Sequence, residues 1–284
     1  MVEVIKTTAE FHVRRNLDKD PIGFVATMGN LHSGHMSLLE EGLKDFQTVY
    51  FSIFVNPKQF GPNEDFNRYP RTLEQDIALI EKQLSLHPGK KVVLFAPADP
   101  TEVFPPEDNQ NISVWGINKI LEGEFRPTHF DGVATVVYKL FKLIKPTKSY
   151  FGIKDFQQLA VIKMMVKDLQ LPIIVKGMPI IREESGLALS SRNQYLSETD
   201  KEKALILNRT LKEIISIIDG KKSNVEKARL YVKGLMEDLN WNYLEIRDVD
   251  SLSSDITDSK ELTLLGVYQL GTTRLLDNMQ VEVQ

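Results

Sequence analysis

The chain has 284 residues, 42% hydrophobic and 26% charged, with Lys+Arg 35 against Asp+Glu 39 and a net charge of −4. At roughly 150 residues per domain that is two domains, or one large α/β domain, with enough apolar residues for a real core; disorder of the whole chain is excluded, and a polyanion-binding surface built on bulk positive charge is argued against. Cysteine is absent, which removes disulfides, thiolate zinc sites, iron–sulfur clusters and a cysteine nucleophile. The N-terminal MVEVIKTTAEFHVRRN lacks the apolar core of a signal peptide. No apolar run approaches the ~18 residues of a membrane span, so the expectation is a cytoplasmic protein with no membrane partner.

In chain order, Ile22 to Thr27, bounded by Pro21 and Gly29, reads as a strand. Near Gly34 the apolar spacing becomes helical, with Met36, Leu39 and Leu43 on one face. Thr48 to Val55 is a buried strand, residues 72–85 a helix, and Val92 to Ala96 a third strand before the Pro-rich connection 97–106. Asp131 to Ile144 is a strongly apolar helix, Ser149 to Gly152 a short strand, 154–169 another helix, and Pro172 to Gly177 again a buried strand. Strands alternating with helices predict βαβ units: an α/β fold with a Rossmann-like, doubly wound parallel sheet. After about residue 180 the pattern changes to two long helices, 198–218 and 223–238, then strands at 243–249, 262–270 and 274–283. The predicted organisation is residues 1–180 as the nucleotide-binding domain and 181–284 as a smaller α+β C-terminal domain with helices and an antiparallel sheet.

The most informative segment is Thr27-Met-Gly-Asn-Leu-His-Ser-Gly-His35, where the first of these strands gives way to a helix. Gly29 and Gly34 permit close backbone approach, and a helix N-terminus offers N–H groups and a positive dipole end, which suits a phosphate chain. His32 and His35 could donate hydrogen bonds to phosphate oxygens. At this composition a His-x-Gly-His match arises by chance about 0.005 times in the chain. A strand–Gly–helix turn taken alone is equally an ordinary connection, and a histidine pair at i, i+3 could instead be part of a metal site.

TMGNLHSGH resembles the His-x-Gly-His signature of the nucleotidylyltransferase superfamily. The longer runs TMGNLHSGHMSLL, FVNPKQFGPNEDFNRYPRT, FGIKDFQQL and GLALSSRN, in that order between residues 27 and 193, resemble the pantothenate synthetase (pantoate–β-alanine ligase) family. The resemblance implies a two-step reaction. Pantoate carboxylate attacks the ATP α-phosphorus to give pantoyl adenylate and pyrophosphate, and β-alanine then displaces AMP. It also implies magnesium and a homodimer; nucleic acid is not implied. The chemistry asks for positioning and charge stabilisation rather than a protein nucleophile, in keeping with the missing cysteines.

Carried over by motif, the resemblance places Met28, Gly29, Asn30, Leu31, His32, Ser33, Gly34 and His35 along ATP, with His35 and His32 acting on the triphosphate. Gly152, Ile153, Lys154 and Asp155 form a second ATP segment, with Lys154 offsetting phosphate charge; Asp155 holds ribose or simply caps a helix. Ile181, Leu189, Ser190, Ser191 and Arg192 form the third, whose two hydroxyls and guanidinium suit departing pyrophosphate, although the same residues could be a serine-rich helix cap. Gln59 and Gln158 would clamp pantoate, with Asn56 beside them; taken alone, Gln59 reads as a loop amide facing water. Asp76 matches a family position near the metal, and a charged helix residue is otherwise usually solvated. Arg126 could contact the nucleotide or make a structural salt bridge. Two alternatives stand beside this reading: a nucleotidylyltransferase acting on a phosphorylated acceptor, which would favour a basic second pocket over the glutamine pair, and a noncatalytic nucleotide-binding regulator.

Overall fold

The computed structural model describes residues 1–62 and 64–284; Asn63, within one of the family-like runs, lies outside them. The chain forms two compact units, Met1–Ile153 with Val161–Pro179, and Lys154–Ala160 with Ile180–Gln284.

The first unit is built on six parallel strands, β1 (Glu3–Ile5), β2 (Gly23–Thr27), β3 (Thr48–Ile53), β4 (Lys91–Phe95), β5 (Lys148–Gly152) and β6 (Ile174–Met178), in the spatial order β1-β4-β3-β2-β5-β6. Helices α1 (Thr8–Arg15), α2 (Ser33–Asp45), α3 (Leu73–Ser85), α4 (Glu122–Phe125) and α5 (His129–Ile144) intervene in sequence, with α6 (Phe156–Asp168) between β5 and β6. Leu39, Leu43 and Ile80 are fully buried against Val25, Val49, Phe51 and Leu94 in one core cluster, as the helical and strand periodicities require. The strand order turns back at β2, which has β3 on one side and β5 on the other. Ligands of open α/β sheets bind beyond the carboxyl ends of strands flanking such a reversal, here Thr27 and Gly152.

The fold is the α/β sheet expected, with three local differences. β1 and α1 were not legible, because three and eight residues carry too little periodicity; α1 is fixed instead by Phe11, fully buried and edge-on to Tyr50 and Phe95. The 154–169 helix starts at Phe156, since residues 153–155 form a 3₁₀ turn. The apolar run Pro172 to Gly177 does not form a buried strand. It supplies β6 at the sheet edge, where Ile174 is 59% exposed, because an edge strand has a neighbour on one side only.

In the second unit α7 (Glu198–Ile218) and α8 (Val225–Leu235) cover an antiparallel sheet in the order β7 (Trp241–Asp248), β8 (Glu261–Leu270), β9 (Thr273–Glu282). Leu207, Leu211, Ile214 and Ile218 form the buried stripe of α7 and meet Leu244, Ile246, Leu264 and Leu275 from the sheet. This is the helix-then-strand α+β pattern read from the sequence. No helix among the described residues is long and apolar enough to cross a membrane.

Candidate active site

The turn after β2 places its backbone in the left-handed region twice running, at Gly29 (φ 82) and Asn30 (φ 52). A side chain at Gly29 would be strained there, and its Cβ would lie 3.0 Å from both Ile53 and an Asp76 carboxylate oxygen. Asp76, buried in the first turn of α3, is what holds this turn: Oδ2 accepts from Asn30 N (3.0 Å) and from Thr72 Oγ1 (3.2 Å), and Oδ1 accepts from Leu31 N (2.8 Å). A carboxylate facing two amides and a hydroxyl is an anchor for the glycine turn. The residues around it do not fit a protein-held magnesium ion, and among the described residues no group of three or more His, Asp or Glu is placed to bind a metal.

The two histidines start α2. His32 is its N-cap: Nδ1 accepts from Gly34 N at 3.1 Å, while His35 Nδ1 accepts from His32 N at 3.3 Å, a reciprocal capping box made of imidazoles. In a neutral imidazole whose Nδ1 accepts, the proton resides on Nε2. Capping therefore sets the tautomer in which both rings are Nε2–H donors, with ring centroids 4.1 Å apart. Met28 to His35 thus bring together a glycine turn, a helix N-terminus and two ring donors, with Gly29 and Leu31 buried and Met28, Asn30, His32, Ser33, Gly34 and His35 at least partly exposed, a combination that suits phosphate oxygens.

Beyond β3, Asn56 caps a 3₁₀ turn over Pro57–Gln59, its Oδ1 accepting from Lys58 N. Its Nδ2 donates to Gln59 Oε1 (3.0 Å) and to the Gly132 carbonyl (3.1 Å). Gln59 is consequently buried with its amide orientation set: the oxygen is engaged by Asn56, and Nε2 lies 3.0 Å from Met28 Sδ, a weak acceptor. This is not a loop amide facing water. Asn56 therefore also sets the orientation of the Gln59 amide. Arg126 makes the structural salt bridge, donating from Nε and Nη2 to the two Glu64 oxygens. It also donates to the Gln59 carbonyl at 3.3 Å, and His129 Nδ1 lies 2.9 Å from that same carbonyl. Burial pushes the Glu64 carboxyl up, but the Arg126 hydrogen bonds and charge outweigh this and hold it below the usual range.

In the second unit, Lys154, Ser190, Arg192 and Asn193 line one cleft together with Arg274 and Asp277 from β9. Lys154 follows Ile153 in the 3₁₀ turn, with Nζ 3.8 Å from exposed Asp155. Ser190 caps the 3₁₀ helix Ser191–Tyr195 by accepting from Arg192 N, so the serine-cap reading and the cleft-lining reading both hold for the same residue. Ile181 accepts from Leu189 N at 3.0 Å, making the two ends of this segment neighbours. Gln158 is half-buried in the first turn of α6. Gln59 belongs to the first unit and Gln158 to the second. Arg274, Asp277 and Asn278 were not singled out from the sequence. The signal present was an Asp-Asn pair inside a strand-like apolar run, where both residue types are depleted.

Known proteins resemble this chain over nearly its whole length. A sequence model of the family described as Pantoate-beta-alanine ligase matches residues 2–280. A pantothenate synthetase from Caldicellulosiruptor saccharolyticus is 45% identical over 268 residues, 92% of each chain. The crystal structure of the Thermus thermophilus enzyme superposes with a TM-score of 0.86 at 38% identity, covering 98% of this chain and 99% of that one. The Francisella tularensis pantoate-beta-alanine ligase, complexed with beta-gamma ATP and beta-alanine, gives 0.74 at 33% identity over 98% and 97%. With four ordered sequence blocks, a parallel sheet reversing at β2 and this span of similarity, the chain belongs to the pantoate-beta-alanine ligase family.

Proposed function

We propose that this protein is an ATP-dependent, AMP-forming ligase that condenses pantoate with β-alanine to pantothenate through a pantoyl adenylate. In the first step a pantoate carboxylate oxygen attacks the α-phosphorus, and the bond to the β-phosphate bridging oxygen breaks, releasing pyrophosphate. In the second, the neutral amine of β-alanine attacks the acyl carbon, the acyl–phosphate C–O bond breaks, AMP leaves and the nitrogen loses a proton. His32 and His35 donate Nε2–H to phosphate oxygens. Lys154 and Arg192 neutralise charge as pyrophosphate departs, and the Ser190 and Ser191 hydroxyls add neutral donors. Gly152, Ile153, Asp155, Ile181 and Leu189 complete the nucleotide contacts, while Gln59 and Gln158 take the pantoate hydroxyl and carboxylate. Magnesium is assigned to the MgATP substrate, since the Asp76 environment does not suit a resident ion. In this reading residues 1–180 serve as the nucleotide- and pantoate-binding domain and 181–284 as the smaller domain, with the Lys154–Ala160 segment of the former grouping with the latter. A cytoplasmic homodimer completes the reading, and sedimentation equilibrium checks the dimer.

The observation that carries this reading is the His32–His35 capping box, which turns a helix N-terminus into a double Nε2–H donor, together with a buried neutral glutamine, Gln59, whose amide meets Met28 of the same motif. A phosphorylated acceptor would call for cations where Gln59 sits, so the phosphate-acceptor alternative is disfavoured. The test is exchange of labelled pyrophosphate into ATP with magnesium and without β-alanine. Exchange that requires pantoate is expected; folded protein showing none would remove the adenylation mechanism.

A further inference from the structure

We propose that Asp277 and Asn278, adjacent residues of β9, are positioning residues that hold the Lys154 segment and the Ser190–Arg192 segment in register for the phosphates. Neighbouring residues of a strand point to opposite faces, so two consecutive side chains can reach two segments far apart in sequence. On one face the Asp277 carboxylate, 4% exposed, receives both terminal nitrogens of Arg182 at 2.6 and 2.9 Å. On the other, Asn278 Nδ2 donates to the Lys154 carbonyl at 2.8 Å.

The Arg182 contact extends to the phosphate-binding segment. Arg182 also donates to the carbonyls of Gly186 (3.1 Å) and Asn278 (3.3 Å), and Asn208 Nδ2 from α7 shares the Gly186 carbonyl at 3.0 Å. Gly186 turns the chain at φ +96, where a Cβ would meet Asn208 Oδ1 at 3.1 Å. The hairpin so formed pairs Arg182 with Ala188, and the Ala188 carbonyl accepts from Asn193 Nδ2 at 3.0 Å. From β9, then, one continuous set of hydrogen bonds reaches the residue following Arg192. The main chain of Lys154 is held from the adjacent position.

Stability alone does not account for this pair. A buried ion pair surrenders so much hydration that apolar residues of the same volume commonly serve folding as well or better. What the bidentate fork adds is a fixed direction and distance, which phosphoryl chemistry needs at both cationic arms. The inference rests on the adenylation reading for the roles of Lys154 and Arg192.

The experiment compares wild type, Asn278→Ala and Asp277→Asn in pantoate-dependent pyrophosphate exchange, with buried Trp241 fluorescence in urea confirming that each variant is folded. Asn278→Ala removes the Lys154 contact while leaving the Arg182–Asp277 ion pair in place, and it remains informative if Asp277→Asn fails to fold. The expected result is a fall of about tenfold or more in kcat/KM for ATP, with the pantoate KM within about twofold of wild type. A loss confined to the unfolding midpoint, or a parallel rise of both KM values, overturns the inference by showing a merely structural role. Should wild type itself show no exchange, the ligase reading falls separately. Calorimetric ATP affinity then decides: about tenfold weaker binding by Asn278→Ala supports positioning, and equal affinity refutes it.

Discussion

Asp76 shows how much a single side chain's surroundings decide. As a helix-borne carboxylate near a nucleotide motif it invited a metal, yet its oxygens face the amides of Asn30 and Leu31. Asp76→Asn would turn one oxygen into a donor aimed at an N–H and remove a charge-assisted bond, an effect on the order of 1.5–3 kcal/mol. The expected outcome is about a tenfold or greater fall in exchange with an unchanged magnesium requirement; a magnesium optimum shifted to higher concentration would instead make it a ligand. His32 separates in a similar way, because asparagine is also a good N-cap. His32→Asn should keep the unfolding free energy within about 0.5 kcal/mol of wild type while lowering exchange by roughly a hundredfold, since the cap survives and the ring donor does not. Near-normal exchange would reduce His32 to a cap. The motif around these residues was legible because it is contiguous. The tautomer-setting cap and the Asp76 anchor were not, because one depends on backbone dihedrals and the other joins positions 45 and 46 apart in sequence.

At the scale of elements, periodicity located α2, α3, α5 and α7 well, since each buries one stripe, as Leu39 and Leu43 or Leu211 and Ile214 show. It could not tell β6 at an edge from a central strand, because an apolar run looks alike in both. Nor could it foresee that β9 carries Asp277, whose partner Arg182 is 95 positions away. Between the 3₁₀ turn at Pro57–Gln59 and α4, the Glu64–Arg126 pair ties a loop to the main chain of Gln59. Glu64 has a folded-state pKa below its ordinary 4.5. Its contribution is therefore present above about pH 4.5 and lost as pH falls through the lower folded value. The difference in urea midpoint between wild type and Glu64→Gln should be largest near neutrality and shrink as pH falls below about 4.5. A difference that stays constant across that range would show that ionisation of Glu64 contributes nothing. The same variant should raise the pantoate KM, because Arg126 and His129 both hold the Gln59 carbonyl.

At the scale of the molecule, a net charge of −4 is compatible with the proposed anionic substrates, since local positive charge gathers where Lys154, Arg192 and Arg274 line one cleft. Among the described residues each unit also carries core of its own, such as the cluster of Leu39, Leu43 and Ile80 on the parallel sheet and that of α7 and α8 on the antiparallel sheet. Chains with two cores commonly depart from two-state unfolding. The two tryptophans make this measurable: Trp241 is 5% exposed in the second unit, whereas Trp115 in the first is 78% exposed and already reports solvent. Fluorescence in urea therefore follows the second unit, while far-UV circular dichroism follows both. Leu211→Ala deletes a fully buried side chain from α7 and should cost about 2–5 kcal/mol in that core. The expected result is a fluorescence midpoint moved to lower urea and a circular dichroism curve split into two steps, the later one unmoved. Coincident fluorescence and dichroism transitions, shifted together by the substitution, would show instead that the two cores unfold as a single cooperative body. Because Lys154 and Arg192 belong to the unit so weakened, exchange should disappear with the fluorescence step, before the parallel sheet is lost.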